Sequence, residues 1–461
     1  MKLGVLRRRI RGTPGMTRDM TEGNPFVHIA AFAFPIFLSQ LFQQLYNTAD
    51  SLIVGKFLGT DAFSAVASSG NLIFLCVSFF EGTAMGAGIV ISRYFGAGDD
   101  DKVSRAIHTN VAFGLASGAF LTLFGVLMTP TLLRLMKTDP DILPQAIEYF
   151  RYYFLGSLAV VMYNVCRGIL TAVGDSRRPL LYLIFSSVLN VALDLLFVGV
   201  FRFGVWSAAV ATVISQAASV VLCLLHLCKP GEVFSVDFRK IRFHGDMLKE
   251  IIRNGIPAGV QNSVIGLANV IVQTQINSFG KFSTAGYGSY SKIEGFGFLP
   301  ITSLTMAIST FVSQNLGAKK HLRAKQGARF GILLCIASAE IIGICIYIFV
   351  PHLIAFFDKT PEVITFGVNQ ARTVTLFYFL LAFSHSVAAV CRGAGKAFVP
   401  MLVMLSVWCV FRICYILFVM HVYGDVRLVY LAYPITWTIS SIIYFLYYRF
   451  SDWVHGFDKD N

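Results

Sequence analysis

Twelve long apolar stretches run through this chain of 461 residues, and the second six repeat the landmarks of the first six. Pro35 answers to Pro257, an offset of 222, and Gly96-Ala97-Gly98 to Gly317-Ala318-Lys319, an offset of 221. Cys166-Arg167-Gly168 answers to Cys391-Arg392-Gly393 at 225, and Pro179 to Pro400 at 221. Four ordered pairs at nearly constant offset indicate a duplicated six-helix unit. Six is even, so both copies enter a membrane in the same sense. They are expected as parallel repeats about an axis along the membrane normal, a plan that places a substrate pathway between repeats.

Charge is scarce inside the stretches and clustered between them. Only 14% of the residues are charged, 56% are hydrophobic and the mean hydropathy is +0.67, whereas a soluble domain carries about 25% charged residues. About 20 apolar residues cross the hydrocarbon core. Backbone groups in lipid must be satisfied internally, and these stretches are too long for barrel strands, so they predict helices. The fold class is an all-α membrane protein with spans near 28–57, 62–92, 105–128, 143–172, 179–200, 204–228, 249–280, 284–314, 325–350, 362–394, 398–421 and 425–448. The expected organisation is a basic tail at 1–24, a lobe at 25–228, a connector at 229–248, a second lobe at 249–450 and a tail at 451–461. Pro35 predicts a bend in the first span. Gly82-x-x-x-Gly86 and Gly114-x-x-x-Gly118 suit close helix packing.

Lys and Arg set the orientation. The side holding the N-terminus carries Arg7, Arg8, Arg9, Arg11, Arg239, Lys240, Arg242, Lys319, Lys320, Arg323 and Lys325, among others. The other side carries only Lys56, Arg134, Lys137, Arg202, Lys281, Lys359 and Arg427. Both termini are therefore expected in the cytoplasm, at the plasma membrane. The net charge of +13 reads as a topology signal, and no nucleic-acid partner is expected. The basic, polar first 24 residues carry no apolar core with a small-residue cleavage site, so no cleavable signal peptide is expected there. The nine cysteines lie mostly inside spans without Cys-x-x-Cys and read as small buried hydrophobes. The chain is expected to act as a monomer.

Ionisable residues at membrane depth are costly, so each is a functional hypothesis. Asp194 and Thr212 each lie nine residues from the turn at Phe203, so the count puts both roughly 13 Å below it. Asn190 is one helical turn from Asp194, and Asp50 falls at a similar level. Two carboxylates, an amide and a hydroxyl all offer oxygen, which hard cations prefer; carboxylates without a cation repel. The cluster fits Na⁺ or H⁺; the alternative is a set of interhelical ties. Glu340 and Arg412 both fall near the midplane of the second lobe and predict a structural ion pair. Glu294 either faces a cleft or caps a neighbouring helix.

Taken together these residues resemble the MATE (multidrug and toxic compound extrusion) transporters over about 25–450. The resemblance rests on Asn47-x-x-Asp50 with Gly55 and Gly59, Tyr94-Phe95-Gly96-Ala97-Gly98, and Arg167 through Gly174-Asp175 to Arg178-Pro179. It also rests on Asn190-x-x-x-Asp194, Gln314-Asn315-x-Gly317-Ala318 and Arg392-Gly393. It implies two bundles, a V-shaped cleft, and efflux by antiport with Na⁺ or H⁺ and no other cofactor. In the branch with DNA-damage-inducible and archaeal members, the cation-site residues match Asp50, Asn190, Asp194 and Thr212. Another branch uses a seventh-helix glutamate; here Pro257 to Ser263 carries no acid. Cationic amphipathic substrates want acidic and aromatic surface, which makes Gln43, Tyr46, Tyr163, Gln261, Asn262, Tyr290, Glu294 and Phe296 candidate cleft residues. A lipid-linked saccharide flippase would want several cleft Arg or Lys, against the acidic outer-half charges. No His-Glu-x-x-His or Gly-x-Ser-x-Gly supports an enzyme, and two lobes around one acidic pocket suit alternating access better than a channel.

Overall fold

A computed structural model describes residues 19–135, 138, 140–455 and 457, without the side chains of 60, 61, 63–65, 67–76 and 135. Arg7, Arg8, Arg9, Arg11 and Lys137 lie outside the described residues, as do residues 1–18, 456 and 458–461 of the two tails. Every expected span falls on a helix or an interrupted helix, and no strand occurs among the described residues.

The first repeat runs α1 (Pro25–Leu58), α2 (Thr60–Ala97), α3 (Asp100–Leu135), α4 (Leu143–Leu155 and Ser157–Ala172), α5 (Arg177–Asp194, then a π-helix Leu195–Val200) and α6 (Trp206–Leu227). The second runs α7 (Gly245–Asn277), α8 (Lys281–Gly317), α9 (His321–Phe357), α10 (Pro361–Val374, a 3₁₀ turn Thr375–Phe377, Tyr378–Gly393), α11 (Phe398–Val403, a π-helix Met404–Phe411, Arg412–Val422) and α12 (Val426–Phe450). Ten of these are long and apolar enough to cross a membrane alone; α4, bent by 46° at its break, makes an eleventh. α2 takes the place of the twelfth. Large apolar side chains such as Phe34, Leu52, Leu123, Val188, Leu333 and Phe418 point outward, a surface suited to lipid rather than water.

The duplication is sharper in the backbone than in the sequence. Positive φ occurs at Gly59 and Gly280, at Gly98 and Lys319, and at Gly174 and Gly395, each pair 221 residues apart. A turn that demands left-handed backbone selects glycine, so these positions fix where each helix stops. In this frame the Cys-Arg-Gly motifs are out of step. Gly168 lies six residues before Gly174, whereas Gly393 lies two before Gly395. Arg167 and Arg392 thus stand about one helical turn apart in the repeat, not at equivalent positions.

The chain forms two compact units. The first contains Leu38–Ile256; the second contains Met20–Phe37 and Pro257–Asn461. The lobes expected at 25–228 and 249–450 divide the chain differently at two places. Ile29, Phe32, Ala33 and Ile36 of α1 share the second unit's core with Phe311 and Val312. Met247 and Ile251 of α7 share the first unit's core with Ile91 and Phe95. Pro35 and Pro257, the repeated prolines, sit at or beside these division points.

Glycines permit the tight crossings. In the first unit a Cβ on Gly86 would meet the Gly255 Cα at 2.2 Å, so α2 and the start of α7 touch through backbone. Gly114 and Gly118 lie against Val165 and Leu158, where α3 packs on α4.

Candidate functional site

The first unit gathers the four expected residues. α1 brings Asp50, α5 brings Asn190 and Asp194, and α6 brings Thr212; all are buried. Asn190 Nδ2 donates to Thr212 Oγ1 at 3.4 Å, and Thr212 donates to the Ala208 carbonyl at 3.1 Å. The carboxyl groups of Asp50 and Asp194 lie within reach of one another. As carboxylates neither can donate, so Asp50 Oδ1 and both Asp194 oxygens lack a partner, as does Asn190 Oδ1. One shared proton would join the pair. Four buried oxygens without donors are costly unless something positive meets them.

The hairpin geometry differs from the residue count in one respect. Thr212 meets Asn190, a turn deeper than Asp194. The cause is the π-helix that follows Asp194: its wider turns advance less per residue, so Asp194 lies shallower than an α-helical count places it. π-segments often accompany functional positions.

Around the cluster stand both expected cleft residues and three that sequence reasoning missed, Gln216, Tyr149 and Glu81. Gln216 Nε2 donates to the Tyr46 hydroxyl at 3.3 Å, and Gln43 lies near Tyr46. Tyr149 is buried within electrostatic reach of both aspartates. Tyr163 is buried with its hydroxyl unpaired. Arg167 binds Glu81 at 2.7 Å and Asn164 at 2.9 Å. Glu81, an acid well inside the span at 62–92, was the signal for that pair.

The second unit holds a different cluster. The Tyr290 hydroxyl lies 3.4 Å from Glu294 and 3.0 Å from the Tyr378 hydroxyl. Arg412 is fully buried, donates to Thr436 at 2.8 Å, and stacks over Trp408 at 4.9 Å and Tyr433 at 4.8 Å. Glu294 is its acidic neighbour. The expected Glu340–Arg412 pair does not form. Glu340 accepts from the Phe379 backbone N–H at 3.1 Å. The break in α10 leaves the first N–H groups of Tyr378–Gly393 without helical partners, and a carboxylate suits a helix N-terminus. Of the remaining candidates, Gln261 accepts from Arg392 at 3.3 Å, Asn262 has its own bonding partner, and Phe296 is exposed.

Several recurring motifs hold structure rather than ligand. Asp175 caps α5, accepting from the Arg177 and Arg178 N–H groups at 3.1 Å and binding the Arg178 guanidinium at 2.6 Å. Gln314 accepts from Met20 N at 3.1 Å, Asn315 donates to Met20 O at 3.1 Å, and Arg323 binds the carbonyls of Met20, Glu22 and Gly23. The Tyr94 hydroxyl donates to Glu250 at 2.6 Å. Among the described residues no group of three or more His, Cys, Asp or Glu could hold a metal; the oxygen cluster instead combines two acids with an amide and a hydroxyl.

The two repeats and their buried polar clusters define a membrane transporter. The MatE family model matches residues 35–196 and 257–418, one match per repeat, and the chain belongs to that family. It is 28% identical over 448 residues to the probable multidrug resistance protein YoeA of Bacillus subtilis, across 95% of this chain and 96% of that protein. It is 30% identical over 439 residues to the probable multidrug resistance protein YpnP of the same organism, across 94% and 97%. A crystal structure of MATE in complex with MaL6 shares the fold, with a TM-score of 0.88 at 23% identity over 95% of this chain and 98% of that one. The protein is thus a multi-pass membrane transporter and not an enzyme.

Proposed function

We propose that this chain is a secondary active multidrug exporter that expels cationic or amphipathic organic compounds by antiport with Na⁺ or H⁺. The observation that carries the reading is the set of four donorless oxygens on Asp50, Asn190 and Asp194. A buried acidic pair with no basic partner calls for a mobile cation, and both Na⁺ and H⁺ answer that need. Asp50 and Asp194 would supply charge, and Asn190 and Thr212 would complete an oxygen shell for Na⁺. The multidrug resistance names of the relatives support the substrate class. Gln43, Tyr46 and Tyr163 in the first unit and Gln261, Asn262, Tyr290, Glu294 and Phe296 in the second are the residues proposed to meet substrate. The excess of Lys and Arg on the side of the N-terminus supports cytoplasmic termini, and the proposal takes a monomer as the working unit.

Exchange requires the ion and the drug to favour opposite facing states, since a ligand that binds both equally shifts nothing. Proteoliposomes loaded with a fluorescent organic cation test this, with the Na⁺ and pH gradients imposed separately. Efflux driven by one of the two gradients is expected. Transport indifferent to both would refute antiport, and transport of a lipid-linked saccharide instead of the cation would move the chain to the flippase reading.

A further inference from the structure

Among their differences, the two repeats diverge where α3 packs against the first half of α4. An open cavity of about 720 Å³ lies there in the first unit, lined by Val126, Gln145, Glu148, Arg151, Tyr152 and Leu155 among others. At the 221-residue offset, which also pairs Pro130 with Pro351 in these helices, Val126 corresponds to Tyr347 and Arg151 to Arg372. In the second unit Arg372 stacks on the Tyr347 ring at 5.4 Å. In the first unit valine replaces that ring. The cavity opens on the side where the first unit lacks that ring, and Arg151 stands without the aromatic cover that its counterpart has.

The chemistry of the cavity is zwitterionic. Glu148 and Arg151 are exposed, three residues apart on α4, and no hydrogen bond or ion pair engages either among the described residues. The buried Oε1 of Gln145 also lacks a partner. Glu148 corresponds to Asn369 in the second repeat, so the acid belongs to the first unit alone. Depth is marked by aromatic residues. Tyr152 packs on Trp206 at 5.2 Å, Trp206 on Phe203 at 5.8 Å, and Phe203 on Phe201 at 5.3 Å. Clustered Trp and Tyr mark the level of lipid headgroups. Below them Leu155, Leu123 and Leu127 are exposed and apolar, a track for an acyl chain. The half-helix Leu143–Leu155 buries Ala146, Tyr149, Phe150 and Phe154 and presents Glu148, Arg151, Tyr152 and Leu155 outward.

We propose that this cavity is a site for a zwitterionic phospholipid, with the phosphate on Arg151, the ammonium on Glu148 beside Tyr152, and one acyl chain over Leu155. A guanidinium suits phosphate through charge-assisted bonds, and an ammonium beside a carboxylate and a ring face is doubly favoured. The site is separate from the carboxylate cluster, and its test is independent of the coupling ion.

The experiment is native mass spectrometry of the detergent-purified full chain with added phosphatidylethanolamine, phosphatidylglycerol or soluble phosphoethanolamine. Phosphatidylethanolamine should be retained, and phosphatidylglycerol, which lacks the ammonium, should bind roughly tenfold more weakly, as expected for one lost charge-assisted contact. Arg151→Gln and Glu148→Gln should each weaken retention by about tenfold on the same grounds. Val126→Tyr, which restores the ring of the other repeat, should abolish it. Tyr347→Val should leave it unchanged, because Asn369 offers no carboxylate. Monodisperse elution and an unshifted melting temperature identify variants that fold. Equal retention of the two lipids, or retention unaffected by both charge-neutralising variants, would overturn the proposal. Displacement by soluble phosphoethanolamine at equal concentration would show that a free solute, not a lipid, is the ligand.

Discussion

The same region of the two repeats has been filled with opposite chemistry. At the 221-residue offset, Thr212 corresponds to Tyr433, Ser215 to Thr436 and Gln216 to Trp437 on the sixth helix of each repeat. In the first unit these positions stand beside two aspartates and an asparagine, four of whose oxygens have no donor. In the second unit they stand beside Arg412, which lies over Trp408 and Tyr433 and near Glu294. The second cluster carries its own permanent cation; the first waits for one. A buried acid is tolerable when something positive accompanies it. A covalently attached guanidinium gives a structural solution, and a dissociable ion gives a transport cycle.

Neutralising each acid in turn should separate the two clusters. Asp50→Asn or Asp194→Asn should reduce ion-driven efflux to the level of empty vesicles while preserving expression and elution, because size is kept and only charge is lost. Glu294→Gln should keep most of the ion coupling, because Arg412 does not leave. Gradient-driven efflux in proteoliposomes reads both, and a Glu294→Gln variant as inactive as Asp50→Asn would erase the distinction between the clusters.

Stability should show the reverse order. Arg412→Met removes the nearby cation from Glu294, the hydrogen bond to Thr436 and the guanidinium over two rings, and should cost roughly 2–3 kcal/mol, as expected for a lost charged hydrogen bond with its cation–π contacts. Adding Glu294→Gln should recover part of that loss. Thermal melting of the single and double variants checks it, and additive losses would mean the two residues are energetically independent.

A packing difference offers a smaller test. Gly86 corresponds to Ala307 at the 221-residue offset, so the second unit accepts a Cβ that the first does not. Gly86→Ala places a methyl 2.2 Å from the Gly255 backbone and should cost roughly 1–3 kcal/mol through overpacking. An unchanged melting temperature would show that α2 and α7 separate easily.

Thr212→Ala should have the smallest effect. Its hydroxyl would complete an oxygen shell for Na⁺ but is not needed to protonate a carboxylate. Na⁺-driven efflux should therefore fall more than H⁺-driven efflux. An equal fall in both would make Thr212 a tie between helices.

The sequence made the helices legible because hydrophobic length and charge placement act locally, and the repeat legible because turn glycines recur. Asp50, Asn190, Asp194 and Thr212 could be grouped because a short turn forces α5 and α6 to be neighbours. Depth was legible only to about one turn, since the π-segment after Asp194 cannot be counted from spacing. The pairing of Glu340 with Arg412 was misread because equal depth does not make two helices face each other. Glu340 turns to the broken start of Tyr378–Gly393, and neither that break nor the stacking of Arg412 on Trp408 and Tyr433 is written in either residue's neighbourhood. The division of α1 and α7 near Pro35 and Pro257 was hidden for a similar reason. A proline announces a bend, but which core each half joins depends on distant residues such as Phe311 and Phe95.

Gradient-driven efflux from proteoliposomes of the Asp50→Asn, Asp194→Asn double variant, measured beside wild type and Glu294→Gln, decides whether the mobile cation belongs to the first unit. The double variant is predicted to show no efflux under either a Na⁺ or a pH gradient while still binding the organic cation, whereas Glu294→Gln is predicted to remain gradient-driven even where its substrate affinity falls. Wild-type efflux from the double variant would contradict the claim and move the coupling ion to Glu294 in the second unit.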